Sequence, residues 1–324
     1  MTIPFVRDLD VHYGRVEQVS PLIRRVVADN PSKFTYLGTG TYIVGHGDVA
    51  VIDPGPRLDA HVDALVAALE PDERVTHLLV THTHTDHSPA TGALRELTGA
   101  PSYGFGPHGE LPPDDPTDRL VFGDPAADGD PTKEKGPGEK ELREGADTDF
   151  TPDIPLRHGD VVSGPGWTID AVHTPGHTSN HLCYALREEQ ALFSGDHVMG
   201  WSTTVIVPPD GDLGQYLASL QVVLDRGDGV LWPTHGPPIT DPQALVRSYV
   251  AHRQDRTDQI VAVLANGPAG LTDIVPEVYR DVAKTLWLPA AMSTHAHLLH
   301  LVDDGRVRVV GGGEPRRTAR YELV

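Results

Sequence analysis

The segment THTHTDHSPA, residues 81–90, brings three histidines and an aspartate together directly after the apolar run VTHLLV. Alternate side chains of an extended segment project to the same side, so His82 and His84 can converge on one point. Asp86 and His87 then turn toward a second point. Several neutral imidazoles and a carboxylate in one loop are hard to satisfy without a cation. The segment therefore predicts part of a metal centre at the end of a β-strand.

The remaining metal ligands are expected at other strand ends, because this loop alone supplies too few. His177 in HTPGHTSNH, Asp196 in FSGDH and His235 in PTHGP each follow an apolar run and have glycine or proline close by. Loops on a rigid scaffold commonly present functional side chains in this way. The single cysteine, Cys183, excludes an intrachain disulfide and a cysteine-based metal cluster. The site is therefore expected to use nitrogen and oxygen ligands.

Strand and helix patterns alternate through the first two thirds of the chain, which predicts a main domain of mixed α/β type over residues 1–240. Tyr42–Asp53 is predicted to form a β-hairpin, and Leu58–Leu69 an amphipathic helix. A second helix, capped by Ser88, is expected to stop at Gly99. Further strands and a helix are predicted at Val75–Thr81, Trp167–His173, His181–Leu186, Ala191–Ser194, Leu213–Leu224 and Gly229–Trp232.

The carboxy-terminal residues 241–324 have a different pattern, which predicts a second, winged-helix-like domain. Three predicted helices precede the segment GRVRVVGGGEPRRTARYELV, which can form a two-stranded ribbon. These helices are predicted at Pro242–Ala265, Thr272–Tyr279 and Leu288–Val302.

Residues 109–150 form an insertion within the main domain. Proline, glycine and acidic residues dominate this segment, and such a composition buries little apolar surface. We therefore expect an extended acidic insertion, whose position near the cleft would repel a polyanion.

The motifs THTHTDH, HTPGH, SGD and PTHGP, in this order and after an aspartate at the end of an early strand, resemble those of the metallo-β-lactamase superfamily. The resemblance implies a four-layer αββα sandwich with two divalent metal ions at one edge. Zinc is the expected metal, and a site of nitrogen and oxygen ligands would also accept iron or manganese. The implied ligands are His82, His84 and His177 for the first metal and Asp86, His87 and His235 for the second, with Asp196 bridging both and Asp53 supporting them by hydrogen bonds.

A dinuclear centre of this kind implies a hydrolase that needs no serine or cysteine nucleophile. Two metals about 3.5–4 Å apart can share a hydroxide and polarise the oxygen of the bond that is cleaved. Asp86 is the implied catalytic residue, because it would orient this hydroxide and collect a proton. The commonest lactamases of the superfamily have a cysteine in the position of Asp196, so an aspartate there favours thiolester, lactone or phosphodiester hydrolysis.

The segment from SGDHVMGW onward also resembles the lactamase-beta-like-two branch, whose mitochondrial members are single-strand endoribonucleases. This resemblance implies single-stranded RNA as a substrate, and the alternative is a thiolester, as in glyoxalase II, or another small acyl ester or lactone. A third alternative is a metal-dependent binding module without catalysis. The arginines that could contact phosphate are Arg247, Arg253, Arg256, Arg306, Arg308, Arg316, Arg317 and Arg320.

A substrate pocket beside the metals is expected to involve residues after the bridging aspartate or on the third carboxy-terminal helix. The candidates are Trp201, Thr203, Thr204, His295 and His297.

The net charge of −20 disfavours loose attraction to nucleic acid or to an anionic membrane. The amino terminus lacks the pattern of a secretory signal, and no apolar run is long enough for a membrane span. A cytoplasmic enzyme without membrane contact is therefore expected. The sequence does not indicate the oligomeric state.

Overall fold

The structure is a computed structural model, which describes residues 3–111 and 145–324. The central part of the predicted acidic insertion lies outside the described residues. Its two ends are described, and the returning end lies beside the loop that carries the histidine cluster: Thr85 N–H donates to the carbonyl of Gly145, and Asp147 N–H to that of Thr83.

The first sheet has seven strands, which lie side by side in chain order. The first four strands are antiparallel to one another, and the remaining three continue the sheet in parallel from the fourth. They are β1 (Val16–Gln18), β2 (Ile23–Val27), β3 (Gly40–Val44), β4 (Asp48–Ile52), β5 (Arg74–Leu79), β6 (Ser102–Gly104) and β7 (Ile154–Pro155), and they are accompanied by helices α1 (Asp59–Ala67) and α2 (Thr91–Thr98).

The second sheet has five strands in the spatial order β12-β11-β10-β9-β8. Only β11 and β12 run parallel to each other. The elements of this half are β8 (Val161–Gly164), β9 (Trp167–His173), β10 (Leu182–Leu186), β11 (Ala191–Gly195), β12 (Val230–Pro233), α3 (Leu213–Arg226) and α4 (Pro242–Leu264), with a 3-10 turn at Arg187–Glu189.

Three buried clusters separate four layers, which confirms the predicted αββα sandwich. Large side chains such as Tyr42, Trp167 and Phe193 fill the space between the two sheets. A second cluster lies between the first sheet and helices α1 and α2. A third lies between the second sheet and helices α3 and α4. The interior between the sheets is therefore apolar, and polar function is confined to the strand ends.

The carboxy-terminal part has its own small core, built around residues such as Ile274, Leu298 and Tyr321. Its elements are α5 (Leu271–Val278), a 3-10 turn at Lys284–Leu286, α6 (Trp287–Asp303), β13 (Val307–Val309) and β14 (Tyr321–Leu323), and the last two form the expected antiparallel ribbon. None of the helices in the described ranges is long and apolar enough to cross a lipid bilayer.

Helix α4 belongs to both parts of the molecule. Val246 and Tyr249 in its first half are buried in the core under the second sheet, whereas Ile260 and Leu264 in its second half are buried in the carboxy-terminal core. The predicted domain limits, 1–240 and 241–324, stay a prediction.

The prediction that Ser88 caps the second helix was wrong. Helix α2 begins at Thr91 and is preceded by Ala90, which makes no side-chain capping bond. The Ser88 hydroxyl instead donates to the carboxylate of Asp147, 2.6 Å away. This contact ties the histidine loop to the returning end of the insertion, which a local sequence pattern does not show. Gly99 ends the helix as predicted, in a left-handed conformation with φ of 74°.

Candidate metal centre

Four strands deliver the predicted site residues to one edge of the sandwich. Strand β5 leads into the THTHTDH loop, and strands β9, β11 and β12 end just before His177, Asp196 and His235. Seven buried or nearly buried side chains with ligand-type atoms meet there in groups of three that share members: His82, His84 and His177; His82, His87 and Asp196; and Asp86, His87 and His235.

The first group is made of imidazoles alone. The Nε2 atom of His82 lies 3.0 Å from Nδ1 of His84, and Nε2 of His177 lies 3.3 Å from the same Nδ1. Three ring nitrogens therefore face a common point. Imidazole nitrogens are suitable ligands for zinc, iron and other transition metals.

The group of Asp86, His87 and His235, called the second group from here on, contains a carboxylate and two imidazoles. Asp86 Oδ2 lies 3.0 Å from Nε2 of His235 and 3.6 Å from Nε2 of His87. The side chain of Asp86 is 14% exposed, whereas those of His87 and His235 are almost fully buried. Asp86 is thus the member of this group that solvent can reach.

Asp196 lies between the two groups. Its Oδ1 atom is 3.6 Å from Nε2 of His87 and 3.5 Å from Nε2 of His235, and its Oδ2 atom is 3.9 Å from Nε2 of His177. One carboxylate therefore presents one oxygen to each group. This arrangement is suited to a carboxylate that bridges two cations.

The donor atoms of this cluster fit divalent metal ions. Nε2 of His87, Nε2 of His235 and Oδ1 of Asp196 are buried and make no regular hydrogen bond in the part of the chain that the structure describes, although they face one another and Asp86 at the distances given above. Buried polar atoms are seldom left unpaired in proteins. All donors are nitrogen or oxygen, as the sequence predicted, and they suit zinc, iron or manganese.

Asp53 supports the cluster from behind, in a left-handed backbone conformation with φ of 49°. Its Oδ2 atom accepts a hydrogen bond from Nδ1 of His87 at 2.8 Å and from the hydroxyls of Thr81 and Thr234. Its Oδ1 atom accepts from the Thr81 N–H. Since His87 donates from Nδ1, its Nε2 is the ring nitrogen that faces Asp86 and Asp196 and would bind a cation.

Two backbone carbonyls orient other histidines in the same way. Nδ1 of His177 lies 2.6 Å from the carbonyl oxygen of Val205, and Nδ1 of His235 lies 3.2 Å from that of Gly38. A carbonyl oxygen only accepts, so each Nδ1 is the protonated nitrogen. Each Nε2 is then the ring nitrogen whose lone pair can bind a cation.

Burial and charge act in opposite directions on the pKa values of this cluster. Burial lowers the pKa of His82 and His84 well below the ordinary histidine value. Burial also acts to lower the pKa of His87, but the carboxylates of Asp86, Asp196 and Asp53 outweigh it and raise that pKa well above the ordinary value. These carboxylates therefore favour positive charge at the position of His87, which a bound cation would supply.

Two residues that the sequence analysis did not assign to the metal centre hold the backbone of Asp196. Nε2 of His181 accepts the Asp196 N–H at 3.3 Å, while Nδ1 of His181 lies 2.9 Å from the hydroxyl of Thr174. From the other side, the Thr204 hydroxyl donates to the Asp196 carbonyl at 2.7 Å. His181 belongs to the HTPGHTSNH motif, but nothing local shows that its ring reaches Asp196.

A cavity of about 80 Å3 opens beside the first group, and His84 and His177 form part of its wall. The rest of its lining is mainly apolar: Phe34, Leu111, Ala146, Val205, Val207, Leu288, Pro289 and Met292, together with His108, Thr178 and Asp210. Three of these residues, Leu288, Pro289 and Met292, come from helix α6.

The predicted pocket residues do not line this cavity. The ring of Trp201 stacks on Tyr36, and Thr204 is buried and bonded to the backbone of Asp196. His297 is buried with Nδ1 2.9 Å from the hydroxyl of Thr257. Thr203 and His295 are also outside the lining. Helix α6 does face the cavity, but with residues one and two turns earlier than predicted.

Most of the predicted phosphate-binding arginines have partners within the protein. Arg253 is buried and donates to the carbonyl of Thr204, and Arg256 lies over the ring of Tyr279. Three exposed arginines form ion pairs with carboxylates: Arg308 with Glu322, Arg316 with Glu314, and Arg320 with Asp273. Five of the eight predicted arginines are therefore already engaged by other groups of the protein.

Comparison with known proteins gives consistent matches over both parts of the chain. Residues 36–235 match the family model of the metallo-β-lactamase superfamily, and residues 271–314 match that of the β-lactamase-associated winged helix domain. The chain is 30% identical over 306 residues to the atrochrysone carboxyl ACP thioesterase of Aspergillus chevalieri, covering 90% of this chain and 84% of that protein. It is 29% identical to the β-lactamase-like protein 2 homolog of Drosophila melanogaster, covering 91% and 92%.

Solved structures share the fold. A β-lactamase domain protein from Burkholderia ambifaria aligns with a TM-score of 0.74 at 20% identity, covering 98% of this chain and 96% of that one. A metallo-β-lactamase family protein from Thermus thermophilus aligns with a TM-score of 0.66 at 22% identity, covering 95% and 100%.

Proposed function

This chain belongs to the metallo-β-lactamase superfamily and is a hydrolase of that superfamily, and from this premise we propose that it hydrolyses acyl thioesters or related small acyl esters at a centre of two divalent metal ions. The ligands of the first ion would be His82, His84 and His177, and those of the second Asp86, His87 and His235, with Asp196 shared. Zinc is the proposed metal, and the donor set also suits iron or manganese.

When bound, such a pair of metal ions supplies Lewis acidity toward a carbonyl oxygen and a hydroxide nucleophile at neutral pH. The residues of the chain hold the ligands in place. Asp53 holds a proton on Nδ1 of His87, so that Nε2 is the atom that would bind the ion, and the Val205 carbonyl does the same for His177. Hydrolysis adds one water across the acyl carbon–sulfur bond, so that the acyl carbon gains a hydroxyl and the leaving sulfur gains a proton.

Asp86 is the residue proposed to handle this proton. The cluster contains two carboxylates. The side chain of Asp86 is 14% exposed, whereas that of Asp196 is 1% exposed. A carboxylate that water and substrate can reach is able to take a proton and pass it on. Asp86 would therefore both bind metal and transfer the proton to the leaving group.

The single observation that carries the acyl substrate is the apolar cavity beside the cluster. Its wall includes His84 and His177 from the first metal group, so a group bound in it lies next to the reacting centre. Apolar walls bind hydrocarbon chains because burial removes them from water. The relative from Aspergillus chevalieri that is named a thioesterase is consistent with this substrate class.

A phosphodiester substrate is less well supported. The only carboxylate in the described lining of the cavity is Asp210, whose negative charge would repel a phosphate. Arg308, Arg316 and Arg320 are already paired with carboxylates. The endoribonuclease hypothesis stays a prediction that the following experiment tests against the proposal.

The experiment measures hydrolysis of S-butyryl-N-acetylcysteamine and cleavage of labelled single-stranded RNA by the same metal-reconstituted protein. Asp196→Ala is expected to lose at least one metal per chain, measured by atomic emission, and to reduce thioester hydrolysis to the uncatalysed rate. Asp225→Ala is the matched control, because Asp225 is exposed on helix α3 and bonds only to Gln221 on the same helix among the described contacts.

Thioester hydrolysis that is lost in Asp196→Ala and kept in Asp225→Ala would support the proposal. RNA cleavage with the same dependence, without thioester hydrolysis, would overturn it in favour of a nuclease. Absence of both activities in protein that holds two metals would also reject it, and retention of both metals by Asp196→Ala would reject the dinuclear assignment.

A further inference from the structure

Helix α6 of the winged-helix domain forms one wall of the cavity beside the metal cluster. Leu288, Pro289 and Met292 lie on this wall, and Val205 and Val207 belong to the loop that follows the bridging aspartate. We propose that α6 binds the acyl chain of the substrate, that Met292 and Leu288 set its length, and that Asp210 restricts the site to uncharged chains. This inference rests on the proposed acyl hydrolase function.

The wall formed by α6 is held rigidly by the rest of the fold. Ala291 and Leu298 of this helix are fully buried in the carboxy-terminal core, and Ala296 is buried in the core under the second sheet. The helix is thus fixed against both parts of the molecule. A fixed wall can discriminate chain length, because a chain that is too long meets atoms that do not yield.

Met292 is the side chain best placed to set the length. It is 5% exposed and lines the cavity, so its atoms occupy space that a longer chain would need. Leu288 lies one helical turn earlier and is only half-buried. Shortening Met292 should extend the cavity, whereas enlarging Leu288 should narrow its entrance.

Asp210 is the only carboxylate in the described lining of the cavity, and no described residue forms a hydrogen bond or ion pair with it. Both of its carboxylate oxygens are shielded from solvent and have no hydrogen-bond partner among residues 3–111 and 145–324. A second carboxylate at the end of an acyl chain would be repelled by it in a poorly solvated space. The site should therefore prefer a butyryl group to a succinyl group, although the two chains have the same number of carbons.

The test compares kcat/KM for butyryl, octanoyl and succinyl thioesters of N-acetylcysteamine, whose thiol part is uncharged. We expect Met292→Ala to raise the ratio of octanoyl to butyryl about tenfold, and Leu288→Trp to lower it, since a few methylenes in an apolar pocket change specificity by this order. Asp210→Asn is expected to raise the ratio of succinyl to butyryl about tenfold. Leu286→Ala is the matched control, because Leu286 is exposed and lies outside the cavity lining.

Ratios within one variant cancel any loss of folded protein, so a partly misfolded variant still reports its selectivity. Butyryl hydrolysis with unchanged ratios in the Met292 and Leu288 variants would overturn the inference and leave the proposed function intact. Failure of the wild-type protein to hydrolyse any of the three thioesters would reject the proposed function itself.

A binding measurement further separates the inference about α6 from the proposed function, because it needs no turnover. The non-hydrolysable thioether S-octyl-N-acetylcysteamine is titrated into the wild-type and Met292→Ala proteins by calorimetry. Tighter binding to Met292→Ala, by about tenfold, is expected. Equal affinity of the two proteins would overturn the assignment of Met292.

Discussion

At the scale of single residues, the direction of one imidazole lone pair decides whether the second metal group can form. Asp53 is fully buried and accepts four hydrogen bonds, of which one comes from Nδ1 of His87. As long as Asp53 is an acceptor, the proton of His87 stays on Nδ1 and Nε2 can bind metal. The role of Asp53 is thus to select a tautomer, which a residue of the same shape can test.

Asp53→Asn is expected to weaken metal binding by about 10- to 100-fold, the range seen when the hydrogen-bond partner of a metal ligand is removed. The amide keeps the shape of the carboxylate, but its NH2 group is a hydrogen-bond donor. It would therefore face another donor, either the Nδ1–H of His87 or the hydroxyls of Thr81 and Thr234. His87 is then driven toward the tautomer that carries its proton on Nε2. Metal affinity is measured by competition with a chromogenic chelator.

Asp153→Asn is the control for this substitution. Asp153 also accepts hydrogen bonds from a backbone N–H and a hydroxyl, both of Ser102, but it is not part of the metal groups. The metal affinity of the Asp153→Asn protein should equal that of the wild type. An Asp53→Asn protein with unchanged affinity for both metal equivalents would contradict the tautomer argument.

The residues that face the cluster, and Asp53 behind them, were predictable from the sequence, whereas the other contacts that hold them were not. Three histidines and an aspartate in one short loop are so unusual that a metal centre is the simplest explanation, and His177, Asp196 and His235 stand out at strand ends. Arg253 acts on the Asp196 loop through its bond to Thr204, a residue 49 positions away. Such contacts depend on the packing of the whole domain and leave no local pattern.

At the scale of elements, the loop between β11 and α3 is held by helix α4. The guanidinium of Arg253 donates to the carbonyl of Thr204, whose hydroxyl in turn donates to the carbonyl of Asp196. The next residue along, Val205, supplies the carbonyl that orients His177. Helix α4 therefore reaches the metal centre through backbone groups of this loop.

Arg253→Met is expected to lower metal affinity about tenfold while the protein stays folded. The apolar side chain retains much of the packing, but the Thr204 carbonyl loses its donor, and an unpaired buried acceptor costs about 1–3 kcal/mol. The visible spectrum of the cobalt-substituted protein is measured together with the affinity, because a change in coordination at His177 alters it and a general loss of stability does not.

Arg247→Met is the matched variant on the same helix, where the arginine is exposed and bonds to Gln243 one turn away. It should leave both affinity and spectrum unchanged. Arg253→Lys should recover part of the affinity, since the ammonium can still donate to a carbonyl. If Arg253→Met gave the wild-type spectrum and affinity, helix α4 would have no positioning role.

The first two strands show why some elements were missed. Strand β2 has the sequence IRRVV, and two adjacent arginines are unusual in a buried strand. Both are nevertheless buried: Arg24 pairs with Glu73 at 2.8 Å, and Arg25 pairs with Glu17 at 2.7 Å. The partner of Arg24 lies 49 residues away, so the compensation of its charge cannot be found in the local sequence.

At the scale of the whole molecule, the hydrolase part and the winged-helix part share a continuous element and a common active-site wall. Helix α4 runs for 23 residues, from the core under the second sheet into the carboxy-terminal core. Helix α6 contributes Ala296 to the first of these cores and Ala291 to the second. Neither part can lose its structure without exposing apolar surface of the other, so the two are expected to unfold together.

A single cooperative thermal transition is therefore expected for the metal-free protein, and a substitution in the carboxy-terminal core should shift all of it. Ile274→Ala removes a fully buried side chain of α5 in the carboxy-terminal core and should destabilise the protein by about 2–5 kcal/mol. The measurement is calorimetry together with circular dichroism, and Leu97→Ala, at a leucine that is 64% exposed on α2, is the control expected to cause little change. Two transitions, of which only one shifts in Ile274→Ala, would contradict the coupling. They would require the hydrolase core to remain folded while the second half of α4 and the part of α6 that lines the cavity unfold.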